Sequence, residues 1–294
     1  MARETIAVLG TGTMGSAFTR RLLGAGMHVR AWDVSYPAAA PLADAGAEVA
    51  RTPDDAVRDA GVVLTMVPTI ASLEETMPRA LPAMPASTIW LQMSTIGVDG
   101  TERAMALAQQ LRPDVVFVDA PVSGSKAPAE QGKLLILASG PASALDALAP
   151  VFGALGQKTM RWERAGSGSR MKMVLNMWLA ILGEGIAETA VLAQSLGVSL
   201  DDLSDCLGST ALNAPWALAK LGKIEHETFD PEFSLALATK DLHLALDAAA
   251  RAKQSLPIAQ TIGRQWDDAL RAGFGDRDVA GAYLQLQIDR MQSK

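Results

Sequence analysis

The sequence predicts an α/β domain with a doubly wound, mostly parallel sheet, then an all-α domain joined to it by a long helix. Three observations predict this. Thr5-Ile6-Ala7-Val8-Leu9 is a β-branched run that reads as a buried strand. A glycine-rich segment, Gly10–Gly15, follows at once, and then a helical stripe of Met14, Phe18, Leu22 and Leu23 ending at Gly24 or Gly26. Second, short apolar runs recur with other segments between them as far as Trp162, the pattern of a sheet built from crossover units. Third, beyond Ala165 the strand pattern stops and every periodic stretch has helical spacing. The boundary therefore falls near Ala165, giving domains 1–164 and 165–294. A chain of 294 residues is long enough for two domains, each with its own core.

The elements follow in order. Val29-Arg30-Ala31-Trp32 is the second strand, ended by Asp33. Residues 43–60 hold a short helix, a small strand near Glu48-Val49-Ala50, and a helix started by Thr52-Pro53-Asp54-Asp55. Val62–Val67 is continuously apolar, so it is a central strand buried on both faces and stopped by Pro68. Thr88–Met93, Val115–Val118, Leu134–Leu137 and Lys158–Trp162 are further strands, with an amphipathic helix over Leu145–Leu155. The long helix runs from Ser169 to Leu196, with Met171, Val174, Leu175, Trp178, Leu179, Leu182, Ile186 and Ala190 at helical spacing and Gly197 as its stop. At the α-helical rise it spans ~42 Å. Gly183 and Gly185 inside it cost helix stability unless close packing offsets them. Shorter helices cover 200–207, 214–221, 234–252, 257–272 and 278–291, with Lys223–Phe233 as a polar surface connection. Trp178, Trp216 and Trp266 read as core or subunit contacts.

Composition excludes several classes. A net charge of −6 lacks the basic face that nucleic acid needs. The single cysteine, Cys206, rules out an intramolecular disulfide and a cysteine-rich zinc site. Scattered His28, His226 and His243 offer no metal cluster. No apolar run reaches the roughly 18 charge-free residues of a membrane span. The N-terminus leads directly into a strand, so no leader is expected and the cytoplasm is the expected compartment.

The motifs point to a nucleotide. Strand, G-x-G-x-x-G and helix in succession form a dinucleotide-binding, Rossmann-like turn of Gly10, Thr11, Gly12, Thr13, Met14 and Gly15. Gly10 permits the tight turn, Gly12 lets backbone approach a pyrophosphate, and Gly15 lets helix pack on strand. The helix N-terminus then offers N–H groups to the anion. Asp33 lies where an acid accepts hydrogen bonds from the adenosine ribose, and a carboxylate there repels a 2′-phosphate. Val34, Ser35 and Tyr36 supply no cation for that phosphate. NAD is therefore expected over NADP, with NADP the alternative and a mere turn residue the bland reading of Asp33. Val67 and Pro68 fall at the carboxyl edge of the sheet, where nucleotides bind. Ser94 and Thr95 end another strand and serve either the nicotinamide side of the cofactor or a turn. Ser123 and Gly124 follow a proline turn whose N–H groups and hydroxyl suit a carboxylate. Lys172 and Asn176 are four apart on one face near the start of the long helix. The positive end of the helix dipole there favours proton release, which suits a proton donor better than a structural lysine.

Four segments in this order, Gly10–Gly15, Asp119–Gly124, Gly166 through Lys172 to Asn176, and Lys240-Asp241-Leu242, resemble the β-hydroxyacid dehydrogenase family over essentially the whole chain. The stretches Ser123–Gly132 and Met171-Lys172 look closest to its glyoxylate and succinic semialdehyde reductase branch. The resemblance implies a Rossmann domain and a helical, 6-phosphogluconate dehydrogenase-like domain, in dimers or tetramers packed through the helical domains. It implies Lys172 as the catalytic acid/base, with Asn176 holding substrate from the next turn. Ser123 and Gly124 then bind the substrate carboxylate, Thr95 lies between cofactor and substrate, and Lys240 approaches the nicotinamide. Phe233 and Asp241 match positions that shape the active site. The chain departs from the family at Gln92, where many members carry an acid, at Ser125 in place of a second glycine, at Met177, and at Asp33.

The activity so implied is reversible hydride transfer between a nicotinamide and a small carboxylate-bearing alcohol or aldehyde, of the 3-hydroxyisobutyrate, 3-hydroxypropionate, glyoxylate or succinic semialdehyde type. A positioned ammonium stabilises charge on the carbonyl oxygen and delivers its proton. Imine reduction on the same architecture is the first alternative, and Lys172 counts against it. A non-catalytic NAD-binding module is the second, and the joint presence of Ser123, Lys172, Asn176 and Asp241 counts against that.

Overall fold

A computed structural model describes residues 5–292, with side chains through residue 288. The chain forms two compact units that meet at Lys172/Met173.

The first unit runs β1 (Thr5–Leu9), α1 (Thr13–Gly24), β2 (His28–Trp32), α2 (Tyr36–Ala39), β3 (Glu48–Val49), α3 (Pro53–Val57), β4 (Ala60–Thr65), α4 (Ile70–Ala83), β5 (Ile89–Gln92) and α5 (Gly97–Leu111). It continues through β6 (Val116–Asp119), β7 (Val122–Ser123), α6 (Lys126–Glu130), β8 (Leu134–Ser139), α7 (Ala142–Ala147), α8 (Ala149–Leu155) and β9 (Gly156–Trp162). The sheet order is β3-β2-β1-β4-β5-β6-β8-β7, with β9 beside β8. All pairs from β3 to β6 are parallel, β8 runs antiparallel to β6 and β7, and β9 is parallel to β8.

The strand alternation explains why helices cover both faces. Ile6, Val8, Val62 and Leu64 point into a core with Phe18 and Leu22 of α1 and Leu145 and Phe152 of α7 and α8. Ala7, Leu9, Val63 and Trp90 point the other way, onto Val57, Leu73, Met77 and Ala104 of α3, α4 and α5. Successive residues of one strand thus feed two cores, which is the doubly wound arrangement. Order reverses between β1 and β4, and the loops at Gly10 and Met66 leave the carboxyl ends there.

Local differences from the sequence reading have physical causes. The stretch read as one helix over Leu145–Leu155 is two, α7 and α8, with Pro150 in the first turn of the second. The short helix expected after Ala43 instead occupies Tyr36–Ala39 and a 3₁₀ turn over Ala40–Leu42. Helix α4 continues through Pro78 and Pro82, both on its exposed side, where water can take the carbonyl bonds they forfeit.

The second unit contains most of α9 (Ser167–Ser195), which begins in the first, then α10 (Leu200–Gly208), α11 (Pro215–Glu225), α12 (Leu235–Arg251), α13 (Pro257–Arg271) and α14 (Ala282–Gln292). Two apolar clusters form its core. One joins Ile186, Ala187 and Ala190 to Leu221, Ile224 and Tyr283. The other packs Ala180 against Leu242, Ile262 and Trp266. Helix α9 is long and apolar enough to cross a membrane by length and composition, with 39% of the relevant window buried. Ala180, Ile186, Ala187, Ala190 and Ala193 of this helix are core residues of this unit. Gly183 faces the rings of Trp216 and Trp266, whereas Gly185 meets nothing within 4 Å, so close packing accounts for the first glycine only.

The polar stretch expected to be a surface connection is anchored. Helix α11 extends to Glu225 and Phe229 is buried. Asp278, fully buried, accepts hydrogen bonds from the N–H groups of Glu232 (3.1 Å) and Phe233 (3.4 Å) and lies 2.9 Å from the Lys220 ammonium.

Candidate active site

In the first unit the glycine loop is held by contacts that explain two of its glycines. Gly10 has φ +95°, and a Cβ there would lie 2.3 Å from the Met66 carbonyl oxygen. A Cβ on Gly15 would lie 1.9 Å from the Gly10 carbonyl oxygen. Gly12 is different, because a Cβ there meets nothing within 4 Å. Its missing side chain leaves open space over the start of α1, where no side chain caps the helix and no acid occupies the first turn. Uncapped N–H groups facing open space fit a pyrophosphate. Thr13 is exposed and Met14 half-buried at this end, and Thr11 is buried beneath it.

Asp33 fastens this loop to the end of β2. Its carboxylate accepts from the Thr11 N–H at 2.7 Å, the Thr11 hydroxyl at 3.2 Å and the Ser35 N–H at 2.9 Å. Val34, Ser35 and Tyr36 supply no cation themselves, but one comes from further along the chain: the Arg51 guanidinium lies 3.6 Å from the centre of the Tyr36 ring. Arg51 follows β3, fifteen residues beyond Tyr36, so inspection of the residues next to Asp33 missed it.

At the neighbouring carboxyl ends, the Val67 N–H donates to the Ser94 hydroxyl at 2.8 Å. Buried Gln92 clasps the same turn, accepting from the Ser94 N–H (2.7 Å) and donating to the Ser94 carbonyl (2.9 Å). Ser94 is thus a turn tie, and its neighbour Thr95 is half-buried. Gln92 does its work as an amide, since the clasp needs one donor and one acceptor.

The third piece is Asp119, fully buried at the end of β6. It accepts from the Ser169 N–H (2.8 Å), the Ser169 hydroxyl (2.7 Å) and the Ser139 hydroxyl (3.1 Å). The Gly168 N–H donates to Ser139 in turn. Close approach is permitted by Gly168, whose absent Cβ would sit 1.9 Å from the Leu137 carbonyl oxygen. The first turn of α9 is therefore bolted to β6 and β8, three residues before Lys172. Burial pushes the Asp119 carboxyl up to about 6, against the pull of its serine donors and of Arg170. Lys172 itself is only 9% exposed. Four residues beyond Asp119, Ser123 is half-buried and its hydroxyl has no protein partner among the described residues. Gly124 has φ +137°, a conformation that requires glycine.

In the second unit, Asn176, Lys240 and Asp241 come together. The Asn176 amide donates to Asp241 at 2.8 Å, and the other Asp241 oxygen lies 2.8 Å from the Lys240 ammonium. Asn176 and Asp241 are buried. The donor bond fixes the Asn176 orientation and leaves its carbonyl as an acceptor. Phe233 packs on the cluster around Trp266, its N–H on Asp278. Among the described residues no group of histidines, cysteines and carboxylates could hold a metal.

Comparison with known proteins places this chain. The family described as the NAD binding domain of 6-phosphogluconate dehydrogenase matches residues 5–163. The family described as the NAD-binding domain of NADP-dependent 3-hydroxyisobutyrate dehydrogenase matches residues 166–286. A probable 3-hydroxyisobutyrate dehydrogenase of Mycobacterium tuberculosis is 35% identical over 86% of this chain and 88% of its own. The chain belongs to the β-hydroxyacid dehydrogenase family. A solved structure of 3-hydroxyisobutyrate dehydrogenase from that organism, with L-serine, superposes with a TM-score of 0.87 at 32% identity, covering 96% of this chain and 99% of the other. Glyoxylate/succinic semialdehyde reductase 1 of Arabidopsis thaliana is 28% identical over 97% of this chain and 99% of its own. This family member is an NAD(P)-dependent oxidoreductase with a Rossmann-like domain followed by a helical one.

Proposed function

We propose that the chain interconverts a small carboxylate-bearing alcohol and its aldehyde, of the 3-hydroxyisobutyrate, 3-hydroxypropionate, glyoxylate or succinic semialdehyde class. The bound nicotinamide supplies the two-electron chemistry. Gly10–Gly15, with Thr11, Thr13 and Met14, bind the dinucleotide, Asp33 its adenosine ribose, and Val67, Pro68, Thr95 and Lys240 the remainder. Ser123 and Gly124 receive the substrate carboxylate. Lys172 gives a proton to the carbonyl oxygen during reduction and takes it back during oxidation. Asn176 does not titrate and orients, Asp241 holds Asn176, and Phe233 helps shape the substrate site. NAD is the preferred cofactor on the strength of Asp33. The nucleotide domain spans 1–164 and the substrate domain 165–294. The exposed apolar side chains of α9, Val174 and Trp178 among them, support a homodimer or homotetramer, and the cytoplasm is the proposed compartment.

One observation carries this reading: Lys172 is buried one helical turn past the Asp119 bolt, with an unspent serine hydroxyl at the end of the same strand connection. A lysine held nearly dry in a fixed first turn is a candidate for proton transfer. The test is a panel of short hydroxyacids, aldehydes and a cyclic imine, run with NADH and NADPH in parallel. Turnover of carboxylate-bearing aldehydes supports the proposal. Turnover of the imine alone sinks it.

A further inference from the structure

Arginines near the β2 and β3 edge are mostly spent on carboxylates. Arg30 pairs with Glu48, Arg58 with Asp55 and Arg79 with Asp54. Arg51 is the exception. Its side chain makes no ion pair or hydrogen bond among the described residues, and what holds it is the Tyr36 ring at 3.6 Å. Stacking on an aromatic face fixes a guanidinium without consuming its N–H donors. Those donors thus stay available in a held position, which a flexible solvated arginine lacks.

The location gives them a purpose. Tyr36 is three residues past Asp33, and β3 pairs with β2 so that Ala50 bonds back to the Ala31 carbonyl. Arg51 and Asp33 therefore both leave carboxyl ends of adjacent strands. The Asp33 carboxylate is occupied by Thr11 and Ser35, so part of its charge is already neutralised by fixed donors. A planar fork of five donors is the group that suits a phosphate, whereas a ribose hydroxyl has little use for it.

We propose that Arg51, carried on Tyr36, reads the 2′ substituent of the adenosine ribose and lets this chain take the 2′-phosphorylated cofactor beside the unphosphorylated one. The proposal rests on the nucleotide site assigned above. It makes Arg51 a specificity residue opposed to Asp33: the carboxylate favours the hydroxyl, the guanidinium the phosphate.

Dead-end fragments test this without turnover. Calorimetry measures the Kd of 2′,5′-ADP and of 5′-ADP for the full chain, Arg51→Ala and Tyr36→Leu, with thermal melts confirming that each variant folds. Arg51→Ala should weaken 2′,5′-ADP by about ten- to hundredfold, the worth of a charge-assisted pair, and leave 5′-ADP within about threefold. Tyr36→Leu should give a smaller loss confined to the same ligand. Added salt should weaken 2′,5′-ADP more steeply than 5′-ADP in the parent and not in Arg51→Ala. Equal losses for both ligands, or none, overturn the proposal. Failure of the parent to bind 5′-ADP overturns the nucleotide site itself, a distinguishable result.

Discussion

Replacing Asp119 removes the bolt on the first turn of α9. In Asp119→Ala the Ser169 N–H loses its acceptor inside the protein, whereas the Ser139 and Ser169 hydroxyls keep the Asp119 carbonyl and Thr101 as partners. One orphaned buried donor plus the lost charge-assisted bonds amounts to about 2–4 kcal/mol. Asp119→Asn should behave differently. Its carbonyl can accept from the Ser169 N–H and its amide can donate to the Ser169 hydroxyl, so the loss should stay near about 1 kcal/mol. The carboxyl, raised by burial from 3.8 to about 6, also sets a pH dependence. A raised acid contributes stability fully below its unfolded value and loses that contribution as pH rises through about 6. The parent should therefore lose up to about 3 kcal/mol relative to Asp119→Asn between pH 4 and pH 8. The value near 6 already contains the pull of Arg170, itself paired with Glu102, while the dipole of α9 favours the ionised form and trims the figure. Urea unfolding at several pH values reads stability, and steady-state kinetics reads position: Asp119→Ala should lower kcat more than it raises KM, with Asp119→Asn largely restoring it. Unchanged stability and kcat in Asp119→Ala would refute the bolt, as would equal damage in the two variants.

Other outcomes follow from single contacts. Gly15→Ala places a methyl carbon 1.9 Å from the Gly10 carbonyl oxygen, so calorimetry should show dinucleotide binding lost or the chain unfolded. Lys220→Met leaves the buried Asp278 charge unpaired and should lower unfolding free energy by about 3–5 kcal/mol in urea titrations. Glu184 is buried under Trp266, and burial lifts its carboxyl to about 7, with Glu188 adding to the rise. Its stabilising contribution is thus present below 4.5 and lost as pH rises through about 7, so melts at pH 5 and pH 8.5 should diverge in the parent more than in Glu184→Gln.

Much of this was legible in the sequence because it is local. The alternation of Ile6-Ala7-Val8-Leu9, the spacing of Gly10, Gly12 and Gly15, and the long stripe of α9 each report on neighbours a few residues away. What escaped depends on distant partners. Asp119 meets Ser169 across fifty residues, and Arg51 reaches Tyr36 from another strand. Lys220 and Asp278 lie in two separate stretches read as helices, and their pairing appears only once those stretches pack. Strand β7 has only Val122 and Ser123, too short for any period to show. Asn176 and Asp241 were each singled out, yet the bond joining them is visible only once α9 and α12 pack.

The central claim is that Lys172 moves the proton. Single-turnover kinetics of Lys172→Ala with a carboxylate-bearing aldehyde, alongside calorimetry of dinucleotide binding to the same folded protein, measures this directly. The account predicts a fall of about 10²–10⁴ in the turnover rate with cofactor affinity essentially kept. A folded, cofactor-bound Lys172→Ala protein that turns over within about threefold of the parent would contradict it.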